Sequence, residues 1–150
     1  MGIVWPVCSI IEDATVELNH VTLPADDYET SRAFYLALGL LQIVAAPPRY
    51  ARFEMPGGST LSFEVTADGT AGAAEIYLHC DNVDSEAAAA RRRGIIFDYM
   101  PRDENYLWRC GRVTDPAGNR IFLYHAGKNH RFPPWRLDGR KPDPDIGQSG

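Results

Sequence analysis

The chain carries one order of secondary-structure elements twice, and this repeat restricts the possible folds more than any other feature. A strand pattern at 16–23 is followed by a helix pattern with an apolar stripe, which Gly39 ends, and then by three strand patterns. A second strand pattern at 75–81 is again followed by a helix pattern, which Gly94 ends, and by three strand patterns. The predicted order is therefore β-α-β-β-β in each half.

The spacing of equivalent residues supports an internal duplication. Gly39 and Gly94 lie 55 positions apart, and so do His20 and Glu75 on the first strand of each half. A fixed offset together with a shared element order is the signature of repeated units. We therefore predict an α+β fold in which two βαβββ modules pair within a single domain, residues 1–150.

The predicted modules cover about 16–67 and 73–126, and a polar, Pro- and Gly-rich extension follows at 127–150. We expect the first part of this extension to dock through Phe132 and Trp135, and its end to be loose. The first fifteen residues lack the basic start of a signal peptide. We expect them to form an extra strand or a docked arm.

Composition indicates a globular protein of the cytoplasm and disfavours several classes of partner. A chain of 150 residues, 45% hydrophobic and 23% charged, can bury a core without disulfide or metal crosslinks. The net charge of −5 disfavours nucleic acid, and the basic run at 91–93 suits the C-terminal end of a helix. The three cysteines show no C-x-x-C spacing, which favours a reducing compartment. We find no membrane-spanning run and no motif for a nucleotide cofactor.

The twofold βαβββ order resembles the vicinal oxygen chelate superfamily, which includes glyoxalase I, extradiol dioxygenases and bleomycin-resistance proteins. The resemblance is carried by "NHVTL" on the first strand, "SRAFYLALGL" and "DNVDSEAAAARRRGI" on the helices, and "DPAGNRIFLY" at the end. It covers about residues 16–126. It implies a cup-shaped mixed sheet around a small-molecule site and a homodimer, but this fold hosts several reactions and also plain binding proteins.

In this superfamily, the first and last strands of each half direct side chains into one site. The resemblance places His20, Glu64, Glu75 and Phe122 at these four positions. Phe122 cannot donate to a metal, so His20, Glu64 and Glu75 remain as candidate ligands for Mn²⁺, Fe²⁺, Ni²⁺ or Zn²⁺. Such an ion would polarise vicinal oxygens of a small, aromatic substrate in a lyase, isomerase or dioxygenase reaction.

The candidate catalytic side chains are Glu64 and Tyr124. Either Glu64 or Glu75, if it holds no metal, can act as a general base, and the Tyr124 hydroxyl can donate a hydrogen bond to a substrate oxygen. The same residues allow a second reading, in which the protein binds a small molecule or an antibiotic without metal. Phe122 would then be a stacking surface for a flat ligand.

Strand alternation places Glu75, Tyr77 and His79 on one face of their strand. Tyr77, His79, Phe122 and Tyr124 are therefore candidate substrate-binding residues. The predicted cavity is lined by His20, Glu64, Glu75, Tyr77, His79, Phe122 and Tyr124.

His79 has two further readings. It can join His20 and Glu64 in a two-histidine, one-carboxylate set, which is typical of non-haem iron oxygenases. It can equally be a strand-end residue that bonds a loop. The facing of Trp108 and Arg109 stays open at this stage because Gly111 can mark a bulge.

Overall fold

The computed structural model of the protein describes residues 18–67, 72 and 74–142 of the 150. The predicted N-terminal arm and the end of the extension, 143–150, lie outside the described residues. The elements in chain order are β1 (His20–Ala25), α1 (Tyr28–Leu38), β2 (Leu41–Ala46), β3 (Tyr50–Glu54), β4 (Thr60–Val65), β5 (Glu75–His79), α2 (Val83–Arg92), β6 (Phe97–Asp103), β7 (Arg109–Thr114), β8 (Arg120–His125) and a 3₁₀ turn (Gly127–Asn129).

The strands form two four-stranded sheets with the same connectivity. One sheet has the order β1-β4-β3-β2 and the other has the order β5-β8-β7-β6. In each sheet the first and last strands pair in parallel, and the remaining neighbours pair antiparallel. The predicted α+β fold of two βαβββ modules is confirmed. We call β1 to β4 with α1 module one, and β5 to β8 with α2 module two.

Local signals in the sequence define both ends of α1. The Asp27 side chain accepts a hydrogen bond from the backbone N–H of Thr30 at 3.0 Å, which satisfies one of the free donors of the first turn. Gly39 ends the helix with a φ of 106°, a conformation that costs glycine little. Arg93, which follows α2, donates to the Ala37 carbonyl of α1 at 2.6 Å. The basic run therefore links the ends of the two helices.

Alternation along the strands separates the core from the ligand side. On β1 and β4, Leu23, Leu61 and Phe63 point towards the helix layer and are buried. Ile121 and Leu123 do the same on β8. These side chains belong to one continuous core that includes both helices. The opposite face of each sheet is therefore free to build a site.

A buried polar network joins the two modules. The Tyr35 hydroxyl on α1 donates to Asp115 Oδ2 at 2.6 Å, and Asn119 Nδ2 donates to the same oxygen at 2.8 Å. Asn119 Nδ2 also donates to the carbonyl of Pro24 on β1 at 3.1 Å. Burial and the neighbouring Asp115 carboxylate both raise the pKa of Tyr35. The "DPAGN" turn is therefore more than a tight turn, because it fixes module two against module one.

No helix in the described part of the chain is long and apolar enough to cross a membrane. The extension contacts module two through its 3₁₀ turn. The indole N–H of Trp108 donates to the carbonyl of Asn129 at 3.2 Å, whereas the side chain of Trp135 is 58% exposed. Docking therefore begins at the 3₁₀ turn rather than at Trp135.

Candidate ligand site

Module two faces the site with stacked aromatic rings. Tyr77 and Phe122 are directly paired across β5 and β8, and their rings stack with centroids 4.3 Å apart at 7°. Trp108 and Tyr124 stack with centroids 4.8 Å apart at 25°. Tyr77 meets both Trp108 and Tyr124 edge to face at 5.7 Å. We call these four residues the aromatic face.

The tyrosine hydroxyls of the aromatic face are held in the neutral form. Burial is the main cause that raises the pKa of Tyr77, and the carboxylate of Glu75 adds to it. Burial also raises the pKa of Tyr124 and of the Cys110 thiol beneath it. At neutral pH these phenols can donate hydrogen bonds, and the thiol is not an activated nucleophile.

Module one faces the site with an imidazole bound to hydroxyls. His20 Nδ1 lies 2.6 Å from the hydroxyl of Thr60. His20 Nε2 lies 3.0 Å from the Thr22 hydroxyl and 3.2 Å from that of Ser62. Thr22 and Ser62 also bond each other at 2.8 Å. We call these four residues the hydroxyl face.

A cavity of about 460 Å³ lies between the two faces. His20 and Thr60 of the hydroxyl face border it, and so do Tyr77, Trp108 and Tyr124 of the aromatic face. Its described lining comes from the beginnings of β1, β4 and β5, from the aromatic face and from the extension. The lining residues are Leu18, Asn19, His20, Val21, Met55, Ser59, Thr60, Leu61, Glu75, Ile76, Tyr77, Leu78, Trp108, Tyr124 and His130.

Within each module the inward side chains form three levels, as the registers of β1 with β4 and of β5 with β8 show. We number the levels of the two modules together by the 55-residue offset between β1 and β5. The first level comprises His20, Thr60, Glu75 and Arg120. The second level comprises Thr22, Ser62, Tyr77 and Phe122. The third level comprises Pro24, Glu64, His79 and Tyr124. The four positions that the resemblance grouped therefore come from three different levels.

The structure does not bring the three predicted metal ligands together. His20 and Glu75 line the same cavity, but Glu64 is paired with Pro24, four residues along β1 from His20. That separation is roughly 13 Å along the strand. Glu64 instead lies 4.0 Å from the guanidinium of Arg49. Glu64 was expected to line the cavity. The strand register instead places it near the far end of β4, away from His20.

The residues present do not fit a divalent ion. Within the described ranges, no three His, Cys, Asp or Glu side chains lie close enough to hold a metal. Both nitrogens of His20 are already hydrogen-bonded to hydroxyls. Glu75 Oε2 accepts a hydrogen bond from Arg120 at 3.1 Å. A metal-bound imidazole needs one nitrogen free for the ion, and a ligating carboxylate needs its oxygens available.

The predicted substrate-binding residues are distributed between the cavity wall and the layer behind it. Tyr77 and Tyr124 line the cavity. Phe122 supports Tyr77 from behind but does not line the cavity. His79 sits beyond the cavity, with Nε2 3.9 Å from Asp81 and its ring 5.9 Å from that of Tyr124. His79 is the last residue of β5, and its side chain lies next to Asp81 in the segment that leads to α2.

The sequence-based cavity prediction includes four of the fifteen lining residues and lacks the other eleven, among them the ring side chains Trp108 and His130. Trp108 points into the site, whereas Arg109 points elsewhere and pairs with Asp84 at 2.8 Å. Alternation around Gly111 carried too little information to decide between them. His130 comes from the extension, where no repeat or strand pattern offered a signal.

Comparisons with known proteins agree with this architecture. The family model of the Glyoxalase/Bleomycin resistance protein/Dioxygenase superfamily matches residues 17–123. No curated protein shows significant similarity to the chain. A glyoxalase/bleomycin resistance protein/dioxygenase from Nocardioides has a similar structure, with a TM-score of 0.61, 22% identity, and coverage of 76% of this chain and 85% of that one.

Two further solved structures represent an enzyme and a binding protein. The lactoylglutathione lyase from Agrobacterium tumefaciens has a TM-score of 0.62 and 19% identity, with coverage of 75% of this chain and 95% of that one. A bleomycin-binding protein complexed with bleomycin has a TM-score of 0.59 and 20% identity, with coverage of 74% and 98%. At these identities the structural similarity establishes the fold alone. The family match spans most of both modules, and the chain therefore belongs to the glyoxalase/bleomycin resistance protein/dioxygenase superfamily.

Proposed function

We propose that this protein binds a flat aromatic small molecule in the cavity between its modules, and that binding does not require a divalent ion. The observation that carries this proposal is the aromatic face, of which Tyr77, Trp108 and Tyr124 line the cavity. Aromatic side chains bury large apolar areas and favour stacked or edge-to-face contact with other rings. A flat ligand gains most from such a surface.

The dimensions of the cavity suit a small organic ligand. Its volume of about 460 Å³ lies within the range of roughly 300 to 1,000 Å³ that is typical of small-molecule sites. Its wall combines apolar side chains, such as Leu61 and Ile76, with a few polar groups. This mixture is typical of sites in which apolar contact supplies affinity and polar groups fix orientation.

The rings of the aromatic face pack against one another and against the extension. Phe122 supports the ring of Tyr77, and Trp108 is held both by Tyr124 and by its hydrogen bond to Asn129. Side chains that are already fixed lose little conformational entropy on binding. We infer that Tyr77, Trp108 and Tyr124 contact the ligand directly, while Phe122 keeps Tyr77 in place.

The polar residues support binding without metal. His20 is bonded to three hydroxyls and Glu75 is paired with Arg120, so an ion would have to displace existing partners. Glu64 is not among the described residues that line the cavity, which supports a site that uses it neither as a metal ligand nor as a general base. A solved relative with this fold was crystallised with bleomycin, which shows that the architecture can hold a bound organic molecule.

The decisive experiment measures binding of 2-naphthol, a flat two-ring probe, by equilibrium dialysis before and after treatment of the protein with chelator. We expect equal affinity in both cases. The Trp108→Leu variant is expected to weaken binding at least tenfold, which corresponds to about 1.4 kcal/mol. Trp135→Leu is the matched control, since Trp135 is exposed and outside the cavity wall.

Two outcomes would contradict the proposal. Equal losses in Trp108→Leu and Trp135→Leu would show that the probe binds nonspecifically to exposed tryptophan. Loss of binding on chelation, together with one equivalent of metal per chain by elemental analysis, would favour the metal-dependent enzyme instead. In that case His20→Ala would abolish both metal content and binding.

We also propose that the protein is a cytoplasmic homodimer. The edge strand β2 exposes Leu41 by 63% and Ile43 by 45%, and an uncovered apolar edge favours pairing with a second copy. Cys80 and Cys110 are free and buried, which suits a reducing compartment. Light scattering should give twice the 16.7 kDa of one chain, and that mass should fall in Leu41→Lys. A mass of 16.7 kDa at micromolar concentrations would contradict the dimer.

A further inference from the structure

The extension contributes one wall of the cavity, although it lies outside the part of the chain that matches the superfamily. The match ends at residue 123, whereas His130 lines the cavity. The His130 ring lies 5.8 Å from that of Trp108 and 6.0 Å from that of Tyr124. The extension therefore places a polar side chain beside the aromatic rings of module two.

Local contacts hold His130 at this place. After β8, Ala126 is buried and the 3₁₀ turn Gly127–Asn129 reverses the chain. The amide of Phe132 then donates to the carbonyl of Lys128 at 2.7 Å. The Trp108 indole N–H donates to Asn129, the residue directly before His130. One aromatic side chain thus serves as part of the wall and as the anchor of the extension.

His130 differs from His20 and Glu75, which also line the cavity, in its hydrogen bonding. His20 uses both ring nitrogens in bonds to hydroxyls, and Glu75 is paired with Arg120. No hydrogen bond to another described residue uses the ring nitrogens of His130. A neutral imidazole has one donor and one acceptor, and both gain from a partner once a ligand displaces water.

We propose that the ligand carries a hydrogen-bonding substituent, such as a hydroxyl or a carbonyl, on its aromatic ring system and that His130 binds this substituent. This inference rests on the proposed function, since the aromatic face must first hold the ring. His130 is exposed in the structure. It then determines which flat molecules bind, because a ring that covers the imidazole without offering a partner removes its water and leaves it unpaired. The Trp108–Asn129 bond positions His130 for this contact.

The test compares 2-naphthol with 2-methylnaphthalene, which has a similar shape but cannot form a hydrogen bond, by equilibrium dialysis. The native protein is expected to bind 2-naphthol about tenfold more tightly, which corresponds to roughly 1.4 kcal/mol for one hydrogen bond. In His130→Ala this preference should fall below about twofold, while affinity for 2-methylnaphthalene stays the same. His130→Gln, which keeps a donor and an acceptor, should retain part of the preference. Trp135→Leu, elsewhere in the extension, should keep all of it.

A second variant tests the anchor. Trp108→Phe keeps a ring in the wall but removes the N–H that bonds Asn129. We expect faster hydrogen exchange at the amides of Asn129 and Phe132 and a reduced preference for 2-naphthol. Unchanged exchange and unchanged preference would overturn the positioning role of Trp108.

The outcomes separate this inference from the proposed function. A tenfold preference that survives in His130→Ala would overturn the role of His130 and leave the aromatic site intact. Equal affinity of the native protein for both probes would also overturn the role of His130 and leave the aromatic site intact. Failure of both probes to bind the native protein would remove the proposed function and this inference together.

Discussion

Module one borders the cavity with His20, whose imidazole is hydrogen-bonded to hydroxyls. Module two borders it with stacked aromatic rings. Thr22 and Tyr77 are 55 positions apart and both occupy the second level of their modules. Thr22 bonds Ser62, and Tyr77 stacks on Phe122. The shared backbone fixes where a side chain lies, and the residue type alone decides what it can do there.

The two faces also differ in whether their side chains still have contacts to offer a ligand. On the hydroxyl face each polar atom of His20 has a partner within the protein. On the aromatic face Tyr77 is 40% exposed, so part of its ring remains open to a ligand. A hydrogen-bond network in which every group has a partner makes the local structure rigid. An exposed aromatic ring gains favourable free energy when a ligand buries it. We infer that module one is the rigid wall of the cavity and that module two is its binding surface.

The largest expected effect comes from breaking the network that holds the two faces opposite each other. Asp115→Ala leaves the buried Tyr35 hydroxyl and the Asn119 side chain without their shared acceptor. Buried polar groups without partners are costly, and we expect unfolding in urea to show a loss of about 3 kcal/mol. The control is Asp81→Ala, whose side chain is 92% exposed and should cost less than about 0.5 kcal/mol. Equal effects of the two variants would show that the network does not join the modules.

A smaller effect, on ligand affinity, is expected when a residue of the aromatic face is replaced by the residue type of the hydroxyl face. Tyr77→Thr places the residue type of Thr22 at the equivalent position of module two. It removes the ring that stacks on Phe122, and the affinity for 2-naphthol should fall about tenfold. Thr22→Val, on the opposite face, should change that affinity by less than about twofold. A larger effect of Thr22→Val than of Tyr77→Thr would reverse the roles that we assign to the faces.

Strand alternation in the sequence predicts which face of a sheet a side chain lies on, but not how the neighbouring strands are aligned. Hydrophobic alternation has a period of two, and it predicts the inward facing of Tyr77 and Tyr124, which both line the cavity. Alternation does not define how far β4 is shifted against β1, because a shift by two residues preserves every facing. Glu64 was therefore assigned to the right face but to the wrong level relative to His20.

The fold was more predictable than the site for a related physical reason. The repeat and the helix-ending Gly39 are local signals, and each agrees with the structure. His130 reaches the cavity through a chain reversal and one long-range bond from Trp108, which no local pattern encodes. Contacts between distant segments depend on packing that a single sequence does not display.

Weakening the hydroxyl face should affect stability more than binding. Ser62→Ala removes the buried hydroxyl that bonds both Thr22 and His20, and a loss of about 1 kcal/mol in urea unfolding is expected. Affinity for 2-naphthol should stay within about twofold, since the rings are unchanged. Ser59→Ala serves as the control because Ser59 is exposed at the cavity wall. Weaker binding in Ser62→Ala without loss of stability would mean that the hydroxyl face contacts the ligand.

The smallest expected effect is a change in stability at alkaline pH that originates in the aromatic face. The pKa values of Tyr77 and Tyr124 are raised in the folded protein, mainly by burial. Above the ordinary tyrosine pKa of about 10, the unfolded chain therefore loses these protons before the folded protein does. The contribution to stability is complete below that pH and is lost as the pH rises through the higher folded values. Absorbance at 295 nm should show phenols that ionise later in the folded protein than in urea, and Tyr124→Phe should remove one of them. If the late-ionising fraction were the same in Tyr124→Phe, the Tyr124 hydroxyl would not be held neutral by the aromatic face.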